Sequence, residues 1–315
     1  MTNSVNMFDT LKLYVRQDSV RDTDLLAEIP VYLEDITAHE KADQIYFSGT
    51  KENLRIYVTD RGVSIQGSLA KYYLSDNMQT LRRKDTEQAI QKLSDDLHLP
   101  IDEAQVSRID FAHNFIMQFE PKVYYPYLGE SQYYKRYIQP ESLYYKNGNR
   151  TKLFYDKPAE AKNKGYEIPE VWTSKHVLRY EIRYKRRLHK QFKEPEVKAY
   201  KLYEEQFYIK LIDRYVSDFK SIHKLAEINL DTDNMSTPKD FWDQMALLSI
   251  KRIGQHGAVD LVEELRAKDA LDRPEYYSRL KKEIRDKSKK FSASDSSPLI
   301  EELESKVSAL KRYYR

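Results

Sequence analysis

The sequence predicts an α+β fold: a central, mostly antiparallel sheet with flanking helices, followed by an all-helical C-terminal region. Three observations predict it. Period-two alternation of apolar and polar residues recurs in short runs as far as residue 185, with turn signals between several of them. One clear helical pattern interrupts these runs at residues 85–97. Beyond about Pro195 the period changes to three and four and stays there.

Thr10–Val15, Gln44–Phe47, Asn53–Thr59 and Val63–Gly67 alternate as half-buried strands do. Asp60-Arg61-Gly62 joins the last two and is a hairpin signal, because glycine supplies a backbone geometry that tight turns need. Asp85–Leu97 then sets Ala89, Ile90, Leu93 and Leu97 on one helical face, with Pro100 just beyond as a stop. Strands resume at Val106–Phe119, Ser142–Lys146, Lys152–Lys157 and Val177–Lys185, with Asn147-Gly148-Asn149 as the turn between the middle two. Tyr200, Tyr203, Phe207, Leu211 and Tyr215 step by three or four and predict a long amphipathic helix. Thr237-Pro238-Lys239-Asp240 is a helix start, with proline at the first helical position and an acid at the capping-box place. Further helices are expected over 258–268 and 274–289, then a polar linker at Ser292–Pro298. Ile300, Leu303, Val307 and Leu310 follow at helical spacing, over about two heptads, which is short for a free-standing coiled coil. The expected division is an α+β body over 1–225, a helical domain for DNA recognition or oligomerisation over 226–290, and a linker with a short helix over 291–315.

Composition narrows the class. Of 315 residues 40% are hydrophobic, enough for a packed core, so general disorder is excluded. No apolar run approaches membrane-span length and the first residues lack a basic flank before an apolar block, so neither a membrane segment nor a secretory signal is expected. With no cysteine there can be no disulfide, thiolate zinc site or cysteine nucleophile, which fits a cytoplasmic protein. The net charge of +3 hides an uneven distribution: residues 1–105 carry 12 Lys and Arg against 18 Asp and Glu, whereas 106–220 carry 23 against 15. That basic middle is interleaved with tyrosine, of which the chain has 26 against 11 phenylalanines. A groove that tracks phosphates and stacks bases needs this combination, although a solvated lysine-rich surface has the same charge. Walker A, GxGxxG, HExxH and GxSxG patterns are all absent, which removes nucleotide triphosphatases, dinucleotide enzymes, zinc proteases and elbow-type hydrolases.

Three strands carry a row of polar residues on one face. In VSRIDFAHNF, Arg108, Asp110, Ala112 and Asn114 lie together, opposite Ile109, Phe111, His113 and Phe115. In VLRYEIRYK, Arg179, Glu181, Arg183 and Lys185 share a face. In KLFYDK, Leu153, Tyr155 and Lys157 point together. If these strands are neighbours, Asp110, Glu181, Tyr155 and Lys157 converge. Two carboxylates in a phosphate-attracting setting call for a neutralising hard cation, Mg²⁺ or Mn²⁺, and a tyrosine beside it can attack a phosphodiester if a cation such as Lys157 stabilises the phenolate. On spacing alone, cross-strand Arg–Glu and Arg–Asp ladders account for the same residues. His113, on the face of Phe111 and Phe115, is expected to be a core histidine. GSLAKYY, a strand end with small residues before Lys71, offers amides and a charge to a phosphate, or is a plain turn.

Together GSLAKYY, SRIDFAHNF, TKLFYDKPAE and LRYEIRYKRR, in this order, resemble the phage and plasmid replication proteins of the gene II/X type, over roughly residues 8–190. That group is similar to the Rep_trans rolling-circle initiators and their relaxase relatives. The resemblance implies a protein that nicks one strand at an origin, becomes joined to the 5′ phosphate through tyrosine, leaves a 3′-OH for a host polymerase, and later rejoins the strand. It implies Tyr155 as nucleophile with Lys157 beside it, with Tyr144 or Tyr145 as alternative nucleophiles. It also implies Asp110 and Glu181, completed by Asn114, as ligands of Mg²⁺ or Mn²⁺, and Ser68, Lys71, Arg108, Arg179, Arg183 and Lys185 on DNA. The His-hydrophobe-His triplet of better-known rolling-circle nucleases is absent, so a metal site here would be carboxylate-based. The expected partners are origin DNA, single-stranded or supercoiled duplex, host helicase and polymerase, and a second copy of the chain. Two other readings stand beside this one: a conjugative relaxase of the same chemistry, and an origin-binding initiator without catalysis.

Overall fold

The computed structural model describes residues 6–41, 44–225, 235–289 and 297–312. The strands are β1 Phe8–Arg16, β2 Glu34–Lys41, β3 Gln44–Lys51, β4 Leu54–Thr59, β5 Gly62–Ser68, β6 Gln105–Met117, β7 Leu128–Ser131, β8 Lys135–Gln139, β9 Ser142–Lys146, β10 Arg150–Asp156, β11 His176–Tyr184 and β12 Ile222–Lys224. The helices are α1 Leu25–Glu28, α2 Leu69–Leu74, α3 Arg83–Leu97, α4 Lys157–Asn163, α5 Glu170–Thr173, α6 Leu188–Phe192, α7 Glu205–Lys220, α8 Pro238–Ala267, α9 Pro274–Ser288 and α10 Pro298–Ala309. Ten strands form one antiparallel sheet in the order β2-β3-β4-β5-β1-β6-β11-β10-β9-β8, while β7 and β12 pair separately. The α+β class, the antiparallel sheet and the helical C-terminal region are as the sequence predicts.

One face of the sheet is apolar and covered. Phe111 of β6 and Tyr180 of β11 meet Tyr215 of α7 with ring centroids 5.8 and 4.5 Å apart, and Phe154 of β10 meets Phe219 of the same helix. The α3 residues Ala89, Ile90, Leu93 and Leu97 are buried in the same core, so its amphipathic stripe does what its spacing demands. Ile300, Leu303, Val307 and Leu310 join that core too, which explains how so short an apolar repeat is stable: it packs on the body and needs no coil partner. The hairpin at Gly62 needs its glycine. Its φ of 155 is open to few side chains, and a Cβ there would come within 2.3 Å of the Val15 carbonyl oxygen.

Several expectations are corrected. The strand expected to reach Lys157 ends at Asp156, whose side chain accepts from the Ala159 amide at 2.9 Å and caps α4, so Lys157 opens a helix. GSLAKYY closes β5 and forms α2, with Ser68 as the cap accepting from the Lys71 amide at 3.1 Å. Tyr200 and Tyr203 sit in a separate 3₁₀ turn, Ala199–Tyr203, and α7 starts only at Glu205 after an extended Glu204. β2 has no signature in the sequence because it is an outer strand exposed on both faces, with no alternation to reveal it. The Thr237 capping box forms as expected, and α8 is two helical stretches across a break, the second of which carries the helix expected at 258–268 to within one residue of its end. It breaks at Gly254 (φ 79, ψ 156), where a Cβ would meet the His223 ring at 3.2 Å. Residues 292–296 of the expected linker, and 226–234 beside the expected boundary at 225, lie outside the described residues. Among the described residues no helix is long and apolar enough to cross a membrane.

Candidate active site on the polar sheet face

The antiparallel register of β6, β11 and β10 brings the polar residues together. Asp110 pairs with Arg183, Ala112 with Glu181, and Asn114 with Arg179; Arg179 pairs in turn with Tyr155, and Glu181 with Leu153. Directly paired residues point to the same side of a sheet, so the side opposite α7 carries Asp110, Asn114, Arg179, Glu181, Arg183 and Tyr155. Tyr155 donates its hydroxyl hydrogen to Oε2 of Glu181 at 3.0 Å. Arg183 donates from Nε to Glu181 Oε1 at 2.6 Å and lies 3.8 Å from Asp110 Oδ2, so one guanidinium touches both carboxylates. Arg108 holds Asp110 by two parallel bonds, 2.8 Å from Nε and 2.5 Å from Nη2.

The cation at Tyr155 is a different one from that expected. Arg179, fully buried, is its direct cross-strand neighbour and the strongest influence favouring its phenolate, whereas the Lys157 amine donates to Asn77 Oδ1 at 3.0 Å and Glu160 Oε2 at 2.8 Å. Arg179 is anchored by Asp9 Oδ2 at 2.8 Å and by the Asn77 carbonyl at 2.9 Å. Ser68 donates to the other oxygen of Asp9 at 2.6 Å. Asn114 donates from its amide to the Met78 carbonyl, while its own Oδ1 is buried without a hydrogen-bond partner. The segment around Asn77 and Met78 is thus held onto the face by Arg179, Lys157 and Asn114. It also walls a cleft of about 430 Å³ with Lys71, Tyr166 and Pro169, in which the Lys71 amine lies 4.5 Å from the Tyr166 ring centre.

Burial sets the protonation. It pushes the Tyr155 phenol well above its ordinary value despite Arg179, so the ground state is a neutral phenol. Burial would also raise Glu181, but Arg183 and Arg179 outweigh it and hold this carboxyl below its usual range, hence ionised. Asp110 goes the other way: burial and the neighbouring Glu181 charge lift it above the usual carboxylate range although Arg108 opposes them. Burial and Arg179 lower Lys157. Exposed Lys185 is lowered by partial burial and by Arg183 and Arg108 nearby.

The other named tyrosines separate. Tyr144 lies on the polar face, half-buried, with the Lys146 amine 4.6 Å from its ring centre. Tyr145 lies on the apolar face, fully buried, its hydroxyl 2.8 and 2.7 Å from the carbonyl oxygens of Leu128 and Gly129. His113 is on the apolar side as expected, with Nδ1 3.1 Å from the Asn6 carbonyl oxygen and its ring against Phe115.

Asp9, Asn77 and Glu160 belong to this cluster and escape the sequence reading. Asp9 stands just outside the alternation that starts at Thr10, and a register shift between Phe8 and Leu11 accompanies its turn onto the polar face. Asn77 is in a loop and Glu160 in a helical turn, where period-two reasoning has no reach. Among the described residues no three His, Cys, Asp or Glu side chains are grouped to hold a metal. The two carboxylates are hard oxygen donors of the kind Mg²⁺ or Mn²⁺ takes, but Arg108 holds both Asp110 oxygens, and Arg183 and Tyr155 hold those of Glu181. Asn114 stands four residues along β6 from Asp110, about 13 Å away, so the expected three do not meet at one point.

The arrangement pairs a neutral hydroxyl with an ionised carboxylate that can take its proton, and surrounds both with guanidinium groups suited to phosphate oxygens. The family model for the N-terminal part of the phage replication-associated protein of gene II type matches residues 23–221, which span the sheet from β2 to β11 and α7. No curated protein matches the chain. With nearly two thirds of its length matched, the chain belongs to the family of phage replication-associated proteins of the gene II type.

Proposed function

We propose that the protein initiates rolling-circle replication by nicking one DNA strand through Tyr155 and later rejoining it. The observation that carries this reading is the 3.0 Å hydrogen bond from the Tyr155 hydroxyl to an ionised Glu181, with Arg179 beside the phenol. Glu181 takes the phenol proton as the Tyr155 oxygen attacks phosphorus. The bond from phosphorus to the 3′ oxygen breaks, the leaving oxygen gains a proton as 3′-OH, and the 5′ phosphate stays on tyrosine as an ester. Reversal by another 3′-OH rejoins the strand, and since the ester preserves the bond energy, no nucleotide cofactor is required. Arg179 and Arg183 stabilise the charge that builds on the phenolate and the non-bridging oxygens. If Mg²⁺ or Mn²⁺ is used, Asp110 and Glu181 would hold it in place of their arginine partners and it would polarise the phosphate, whereas Asn114, about 13 Å along β6 from Asp110, would not share that ion.

The ion pairs on Asp110 and Glu181 favour a second reading in which they are structural and the protein only binds or melts the origin. Covalent trapping separates the two. Supercoiled DNA carrying the protein's own replicon is incubated with Mn²⁺, then denatured and digested, and the DNA-linked peptide is identified by mass spectrometry. The nicking reading expects the adduct on the peptide containing Tyr155. An adduct on Tyr144 or Tyr145 keeps the class and moves the nucleophile, and origin binding without any adduct establishes the non-catalytic reading.

A further inference from the structure

We infer that Tyr137 and Tyr144 form a stacking platform for unpaired bases of the DNA strand, on the same sheet face as Tyr155; this rests on the nicking reading for its substrate. The register makes the placement. Tyr137 pairs with Tyr144, Tyr144 with Leu153, and Leu153 with Glu181, so both rings continue the Glu181 row outward to the β8 edge. The next row holds Gln139, Ser142, Tyr155 and Arg179. A strand whose phosphate lies at Tyr155 and that runs towards the β8 edge over Ser142 and Gln139 therefore has these two rings in the adjacent row, beside its path.

Their exposure sets them apart from the tyrosines beside them on β9 and β11. Tyr145, Tyr180 and Tyr184 are fully buried on the apolar side, whereas Tyr137 is 46% exposed and Tyr144 half-buried. One lysine serves both: the Lys146 amine lies 4.6 Å from the Tyr144 ring centre and 5.4 Å from that of Tyr137. Lys135 pairs with Lys146, both are exposed, and the row continues through Thr151 to Arg183 and Asp110, where the Arg108 side chain joins it. A row of rings therefore runs beside a row of cations on the open face, as bases run beside phosphates along a single strand. A duplex already stacks its bases internally and has no unpaired π-face to offer, so the occupant is single-stranded. Charge complementarity and continuity with the Tyr155 site both select nucleic acid over an apolar protein partner.

The test uses the full chain and a fluorescein-labelled, mixed-sequence single-stranded oligonucleotide, with binding read by anisotropy at fixed salt. Tyr137→Ala and Tyr144→Ala are each expected to weaken binding by about 5- to 150-fold, the range for loss of one base–aromatic stack. Phenylalanine at either position should restore most of the affinity, because stacking needs the ring and not the hydroxyl. A duplex of the same sequence should lose much less. Wild-type affinity in both alanine variants, or equal losses for single strand and duplex, would overturn the platform. So would abolished nicking by Tyr144→Phe with affinity intact, since Tyr144 would then be the nucleophile. Conversely, if Tyr155→Phe still nicks while the alanine variants lose single-strand affinity, the nucleophile assignment falls and the platform stands.

Discussion

The Tyr155 hydroxyl donates to Oε2 of Glu181 at 3.0 Å, while the other carboxylate oxygen receives Arg183 Nε at 2.6 Å. Glu181 is thus oriented from one side and faces the phenol with the other. Buried tyrosine is a poor nucleophile because desolvation disfavours its anion, so the base beside it matters more than it would in water.

Replacing Glu181 by Gln keeps the size but removes the proton acceptor. We expect Glu181→Gln to slow single-turnover nicking by about 10²- to 10⁴-fold, the usual contribution of a general base, with single-strand affinity within about threefold of wild type. Rapid-quench kinetics on a labelled origin strand measures this. An unchanged nicking rate would remove Glu181 from proton transfer and leave it as an ion-pair partner of Arg183.

Arg179 predicts a stability effect. It is fully buried, and among the described residues its ion pair is with Asp9, also buried. Arg179→Met strands the Asp9 charge and releases the Asn77 carbonyl, so a loss of about 3–5 kcal/mol is expected, as for other broken buried pairs. Adding Asp9→Asn should recover part of that loss, because an uncharged partner no longer needs compensation. Urea denaturation of the two single variants and the double variant gives the coupling. Additive losses would show that the pair does not act as a unit.

These residues also show what is legible in the sequence. Asp110, Glu181, Arg183 and Tyr155 are visible there because each sits in an uninterrupted strand, where period two fixes the face and only strand order is open. Lys157 falls in the right neighbourhood for a reason that strand alternation does not supply, since alternation stops at the Asp156 cap and the amine reaches Asn77 from a helix. Asn77 is invisible: a loop residue shows its place only through the Arg179 and Lys157 bonds, whose partners are remote in sequence. Periodicity carries the fold class, whereas β2 and the break at Gly254 depend on edge position and on contact with His223, neither of which has a local pattern.

His113 gives the molecule a pH dependence of known sign. Burial lowers its imidazole to about 4 from an unfolded value near 6.5, despite the bond to the Asn6 carbonyl. Between those values the unfolded chain binds the extra proton and the folded one does not, so stability rises with pH across this window and is lost as pH falls through it. His113→Gln should flatten the difference between Tm at about pH 7 and at about pH 4.5, measured against wild type so that the carboxylates cancel. Parallel Tm curves for the two proteins would mean that His113 is solvated in the folded state.

Tyr145 separates the two sides of the sheet most cleanly. Its neighbour Tyr144 faces the polar side, yet Tyr145 is fully buried with its hydroxyl against the Leu128 and Gly129 carbonyls. Arg136 already donates to the Leu128 oxygen at 2.9 Å, so removal of the hydroxyl leaves chiefly the Gly129 carbonyl short of a donor. Tyr145→Phe should therefore cost about 1–2 kcal/mol of stability, the penalty for one buried carbonyl without its partner. Nicking should stay within about twofold of wild type, because one residue of offset along a strand places the side chain on the opposite face from Tyr155. Chemical denaturation and a nicking assay on the same preparation read both effects. A stable Tyr145→Phe protein that cannot nick would show that the chemistry reaches the apolar side, which the register of β9 and β10 does not allow if Tyr155 is the nucleophile.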